Sequence, residues 1–324
     1  MTTNNTVDNF TIYDELYHTW QIEALALNLS LFNEASQGAI SLTDRRVIGN
    51  FEKHTVFDLA DTVDHRNTSS VSTVSDGHLE DSERVDVKTN LRYKPIMMTR
   101  DSWRKKGMTS ADFSSILGRQ NAVRKQEYLV SLATAILSGY LSNQAGVTTD
   151  ITSASTDTVT TDALAQGLSK FGDQAGGIVC WVMHSKPYWN LVRSAISEKI
   201  YNEAGLVVYG GSPGTLGKPV IITDGGLHTA VSPGQDIYYT LGLTAGAMDI
   251  VQSEPDEVVA DEVTGLQNLA WRIQGEFAVN IGMRNLAWNT TANPNPAALA
   301  THSNWTALFT GKPKLLPGVV IKSN

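Results

Sequence analysis

The chain has 324 residues, long enough for two domains or one elongated one. It carries 33 acidic against 25 basic side chains, a net charge of −8, which argues against a nucleic-acid binder with a basic face. It is 41% hydrophobic, so a sizeable core can form, but only 18% charged, with Thr, Ser, Asn and Gly filling the difference.

Residues 1–50 read as an arm. Tyr13–Phe32 is amphipathic (Leu16, Trp20, Ile22, Leu25, Leu27, Leu31) yet has no local core beside it. Its apolar face must therefore lie on the rest of the chain or on a neighbour. Compact structure begins at 51–60. Residues 61–94 then turn polar, with a Ser75-Asp76-Gly77-His78 turn signal. From Val85 onward the pattern alternates: Val85, Val87, Leu91 and Tyr93 on one face; Asp86, Lys88, Asn90, Arg92 and Lys94 on the other. This predicts an extended β-hairpin, and a lone hairpin is marginal in water, so a neighbour should cover it. Its charges are sorted along the chain. Asp76, Glu80, Asp81, Glu83 and Asp86, with one Arg84 among them, precede a basic run of Lys88, Arg92, Lys94, Arg100, Arg104, Lys105 and Lys106, with one Asp101 among them. An acidic edge made to meet a basic edge on another copy would be sorted in this way.

The spacing predicts one helix over 109–144. It opens on the capping box Thr109-Ser110-Ala111-Asp112 and ends at Ala145-Gly146. At 1.5 Å per residue it is roughly 50 Å long, so its ends lie in different parts of the molecule. A Thr/Ser-rich linker follows (147–161), then a short helix (161–171). Residues 177–184 give a strand apolar on both faces, hence central. A helix begins near Pro187, and short strands are expected at 207–209, 219–223, 236–241 and 246–252. Acids such as Asp249, Glu254, Asp256 and Glu257 read as solvated loop. Residues 270–281 alternate most cleanly: Trp271, Ile273, Phe277, Val279 and Ile281 face one way, with Gly275 as a bulge or bend. Residues 289–324 hold four of the ten prolines and read as an irregular tail ending in Gly318–Ile321.

Chemistry is sparse. Gly210-Gly211-Ser212-Pro213-Gly214 matches a nucleophile elbow, but Pro213 lacks the N–H that the oxyanion hole needs. Gly217-Lys218-Pro219 is no phosphate loop. The seven histidines (His18, His54, His65, His78, His184, His228, His302) show no metal-ligand spacing. The single cysteine, Cys180, sits in an apolar strand and reads as an inert buried thiol. No catalytic, cofactor or metal site is expected. With neither a signal-peptide pattern at the N-terminus nor an apolar run of ~18 residues, a chain staying in a reducing cytoplasm is expected, away from membranes.

Arm, protruding hairpin, long helix, second α+β domain and long returning strand come in the order found in major capsid proteins of tailed phages. Residues 81–99 (DSERVDVKTNLRYKPIMMT) resemble the outgoing strand of that family's extended loop. Residues 178–193 (IVCWVMHSKPYWNLVR) resemble the strand and helix of its axial domain, and 217–224 (GKPVIITD) resemble a strand of the same domain. The resemblance implies an α+β, Hong Kong 97-type capsid fold. Its parts would be an N-terminal arm (1–50), a peripheral domain (51–60, 95–145, 268–292) with the spine helix, an extended loop (61–94), an axial domain (146–267) and a C-terminal tail (293–324). It also implies a non-enzymatic protein that self-assembles through pentamers and hexamers into an icosahedral virion shell around double-stranded DNA, in the host bacterial cytoplasm. The arm becomes a strap under a neighbour. Implied partners are further copies of the chain, a portal and a separate scaffolding protein, with a decoration protein as a further candidate. Charged residues expected at subunit contacts are Glu80, Asp81, Glu83, Arg84, Lys88, Arg92 and Lys94. Two alternatives stand beside this one: an encapsulin-like compartment shell, and a serine hydrolase built on Ser212.

Overall fold

The computed structural model describes residues 33–58, 65–74, 80–99, 105, 110–153, 157–202, 214–231, 236–268 and 270–324, leaving aside the side chains at 58, 80, 110–114, 195–202 and 260. The expected arm up to residue 32, the hairpin tip at 75–79, the strand at 207–209 and Ser212 lie outside them.

In chain order the elements begin with β1 (Ile40–Asp44), β2 (Phe51–Asp58), β3 (Glu80–Thr99) and α1 (Ser110–Leu141). Next come β4 (Thr148–Asp150), α2 (Thr161–Ser169), β5 (Ile178–Met183), α3 (Ser185–Asn202), β6 (Val220–Ile222) and β7 (His228–Ala230). The chain closes with β8 (Asp236–Thr244), β9 (Met248–Val263), β10 (Ala270–Met283), β11 (Leu286–Trp288), α4 (Pro296–Leu299), β12 (Trp305–Ala307) and β13 (Gly318–Ser323). They form two larger sheets and the small pair β11–β12. Sheet A has the order β1-β9-β10-β3-β2. Sheet B has the order β4-β13-β8-β5-β6, with β7 on β8.

α1 joins the sheets. Its 32 residues pack on β9 of sheet A and on β8 and β13 of sheet B. Leu132, Ala133, Ile136, Leu137, Tyr140 and Leu141 recur at helical spacing and are buried in a core continuous with both sheets. Each such Leu or Ile contributes about 1.5–3 kcal/mol by leaving water. Thr134 and Ser138 donate hydroxyl hydrogen bonds to the carbonyls of Gly225 (2.7 Å) and Gly226 (2.9 Å), which pins the β6–β7 connection to the helix. Among the described residues no helix is long and apolar enough to cross a membrane.

The central strands of sheet B are nearly dry. In β5 only Val179 is not fully buried, as a strand apolar on both faces requires, and β5 lies between β8 and β6. Cys180 is buried there, and burial pushes its thiol pKa up to about 12. In β10, the helix-facing row Ile273, Phe277, Val279 and Ile281 is buried, and the register with β3 shifts at Gly275.

Four sequence expectations are corrected. Residues 81–94 do not stand apart as a lone hairpin: β3 is paired with β2 over 80–87 and with β10 over 87–99. Part of the expected arm belongs to the body, because β1 pairs with β9 and buries Ala39, Ile40 and Leu42. The acidic stretch 254–263 is strand rather than loop, held by β10's backbone ladder and by helix contacts on one face. The end of the expected tail is β13, buried between β4 and β8. Gly318 permits that position: a Cβ there would lie 2.2 Å from the Gly242 carbonyl oxygen.

Candidate assembly surface

Strand alternation sends Val87, Leu91 and Tyr93 of β3 toward α1 and sets Arg84, Asp86, Lys88, Arg92 and Lys94 on the opposite face of sheet A. Most of these charges are used inside the chain. The Arg84 guanidinium donates to Asp86 (2.8 Å to Oδ1) and to Asp249 of β9 (2.8 Å to Oδ2). To reach β9 it crosses β10 at Gly282, where a Cβ would sit 2.3 Å from both Arg84 Nη2 and the Asp86 carboxyl carbon. Glycine is needed there because the ion pair lies flat on the backbone. Asp249 also accepts from the Ser41 hydroxyl at 2.6 Å. On the other side His54 Nε2 stands 3.6 Å from Asp86 and 3.7 Å from Glu52. Glu52 pairs with Arg45 at 2.7 Å and accepts from the Asn280 amide at 2.9 Å. The network thus crosses all five strands.

Burial raises the Asp86 pKa, with the Arg84 charge working against it. Glu52 is lowered by its hydrogen bond from Arg45. Glu52, His54 and Asp86 offer metal-type donor atoms within 4.8 Å of one another. Each carboxylate already holds an arginine, so the cluster is an ion-pair network rather than an open coordination shell.

Lys88 is 8% exposed and pairs with Glu254 of β9. Lys125 of α1, with a 1% exposed side chain, donates to both oxygens of Asp256 (2.8 Å) and to Gln252 (2.9 Å), and its ammonium lies 4.4 Å from the Phe277 ring centre. Burial lowers the Lys125 pKa, and Asp256 opposes the shift.

Of the seven expected contact residues, Arg84 and Lys88 are therefore paired within their own chain. Glu83 pairs with Lys53 at 2.6 Å, with both side chains exposed. Glu80 begins β3 opposite Asp58. Asp81, Arg92 and Lys94 are exposed. Sequence reasoning missed Asp249, Glu254, Asp256 and Gly282, whose roles depend on pairing across strands far apart in the chain.

Among the described residues, two histidines meet. His184 and His228 flank Tyr238, at ring separations of 4.9 and 5.0 Å, and face Asp224 (3.5 Å) and Asp236 (3.4 Å). Burial lowers the His184 pKa. Ser185 Oγ is 3.4 Å from His184 Nδ1, but Asp224 approaches the same nitrogen. A catalytic triad needs acid and nucleophile on opposite nitrogens, so this is no triad.

Two sheets bridged by one spine helix, with a polar network across one face of sheet A, make up the α+β architecture of the Hong Kong 97-type capsid fold. Solved structures share that fold. The capsid of Ralstonia phage GP4 matches with a TM-score of 0.54 and 10% identity, over 89% of this chain and 87% of that one. The structure of Microbacterium phage Oxtober96 matches with a TM-score of 0.50 and 12% identity, over 89% and 90%. The head structure of Helicobacter pylori bacteriophage KHP40 matches with a TM-score of 0.50 and 9% identity, over 88% of each. At such identities the likeness speaks for the fold alone. No curated protein sequence matches. The profile of the Gp13-like family, described as major capsid protein 13-like, matches residues 9–320, and the chain belongs to that family. It is a non-enzymatic capsid shell protein of a bacteriophage.

Proposed function

We propose that this chain assembles with copies of itself, through pentamers and hexamers, into an icosahedral shell enclosing the phage's double-stranded DNA. The observation that carries the reading is the family match over nearly the whole chain. The acidic balance of −8 supports a wall that lines DNA without gripping it. Assembly in the host bacterial cytoplasm, a portal, a separate scaffolding protein and a decoration protein belong to the same reading. So does a division of labour in which sheet A with α1 is the peripheral domain and sheet B the axial one. Among the charges of β3, Asp81, Arg92 and Lys94 remain as contacts to other subunits, with Glu80 beside them at the strand's start.

Size-exclusion chromatography and electron microscopy of the expressed protein test this reading. Rings of five and six and closed shells are expected, and particles from infected cells should protect DNA from nuclease. A stable monomer at micromolar concentration, with no larger species, would overturn it.

A further inference from the structure

Beyond residues 87 and 252, sheet A narrows to three strands. β1 makes its last pair at Asp44–Gln252 and β2 its first at Phe51–Val87. β9, β10 and β3 continue together to Val263, Ala270 and Thr99. Asn293 and Pro294 cover Thr89 and Asn90. Among the described residues, no strand lies beside 91–99 of β3 or beside 254–263 of β9. Such long open edges are sites where another chain docks unless something manages them.

The two edges carry opposite charge. The β9 edge has Glu254, Asp256, Glu257, Asp261 and Glu262 and no basic residue. Lys88 and Lys125 neutralise the first two, and Glu257, Asp261 and Glu262 remain exposed. The β3 edge has Arg92 and Lys94, both exposed, and no acid. Each edge also exposes one large apolar side chain, Met97 (57%) on β3 and Val259 (55%) on β9.

We propose that subunits meet head to tail through these edges, the basic β3 edge of one copy against the acidic β9 edge of the next. The proposal rests on the shell reading and names its contact. The edges lie on opposite sides of one extension, so a molecule cannot join them to each other, but a second copy can. Like edges repel, which disfavours a two-fold pairing. An unlike pairing is heterologous and closes into a ring when its rotation permits. The row Glu257–Glu276–Arg92 crosses the extension at one level. A copy set beside it at that level brings Arg92 to Glu257 of the next.

Charge reversal in the full-length chain tests this. Arg92→Glu with Lys94→Glu makes both edges acidic, and Glu257→Lys with Asp261→Lys makes both basic. Each double variant should raise the subunit concentration needed for assembly by about tenfold or more, with subunit melting unchanged. The fourfold variant, with its edges exchanged, should assemble again. An equal mixture of the two double variants should give rings of even number, because the two kinds must alternate. The neutral pair Arg92→Gln with Lys94→Gln should fall between wild type and reversal, and provides a milder arm should a reversal fail to fold. Normal assembly of either folded reversal, or a folded fourfold variant no better than the doubles, would overturn the contact. Failure of the wild type to assemble would instead overturn the shell reading.

Discussion

Sheets A and B use the same α1 spine but solve opposite problems. Sheet B buries Cys180, Trp181, Val182 and Met183 of β5 and Val319, Val320 and Ile321 of β13, the two strands that flank β8. It is closed by apolar packing. Sheet A buries one face on α1 and covers the other with ion pairs: Arg84 with Asp86 and Asp249, Lys88 with Glu254, Arg45 with Glu52. It ends in an extension that, among the described residues, has no further strand on either edge. A buried ion pair adds little to stability over a well-packed apolar one, yet breaking it is costly. Sheet B thus gives the subunit its fold. Sheet A holds a charged surface in fixed geometry, and what its own strands leave unpaired is what the proposed contact between copies uses.

That contrast can be broken by substitution. The largest effect is expected in sheet B. Gly318→Val forces a side chain into the Gly242 carbonyl, which the backbone cannot relieve by rotating a side chain. It should cost about 3 kcal/mol or more and leave little folded subunit, read from yield and thermal melting. At the helix–sheet A contact, Lys125→Met strands the Asp256 carboxylate, whose side chain is only 9% exposed. A cost of about 3–5 kcal/mol is expected in denaturant unfolding, and adding Asp256→Leu should recover most of it. Gly282→Ala pushes the Arg84–Asp86 pair off β10 and should cost about 1–3 kcal/mol while leaving sheet B's near-ultraviolet dichroism intact. The exposed Lys53–Glu83 pair sharpens the comparison from below. Lys53→Ala should cost only about 0.2–1 kcal/mol.

Sequence pattern revealed what local periodicity encodes. The apolar faces of α1 and β10 and a β5 apolar on both sides were legible, whereas the extra residue at the register shift beside Gly275 lies on β3 rather than at the glycine. Pattern failed where pairing is non-local. The run Ser253-Glu254-Pro255-Asp256-Glu257 has poor strand propensity and reads as loop, yet β10 on one side and Lys125 on the helix hold it extended. β13 looked like part of a tail because its partners, β4 and β8, lie far away in the chain. The charge sorting on β3 was visible, but which charges are used up inside the chain was not. Arg84 and Lys88 are set apart from Arg92 and Lys94 only by the acids of β9 across β10.

Hydrogen exchange, compared between unassembled subunits and assembled shells, tests the central claim most directly. Amides of β5, β8 and β13 should be equally protected in both states, because each of these strands has a partner strand on both sides within its own chain. Amides of 91–99 and 254–263 should exchange readily in the free subunit and become protected on assembly, by about tenfold or more. Unchanged exchange along both edges, with new protection confined to sheet B, would contradict the account.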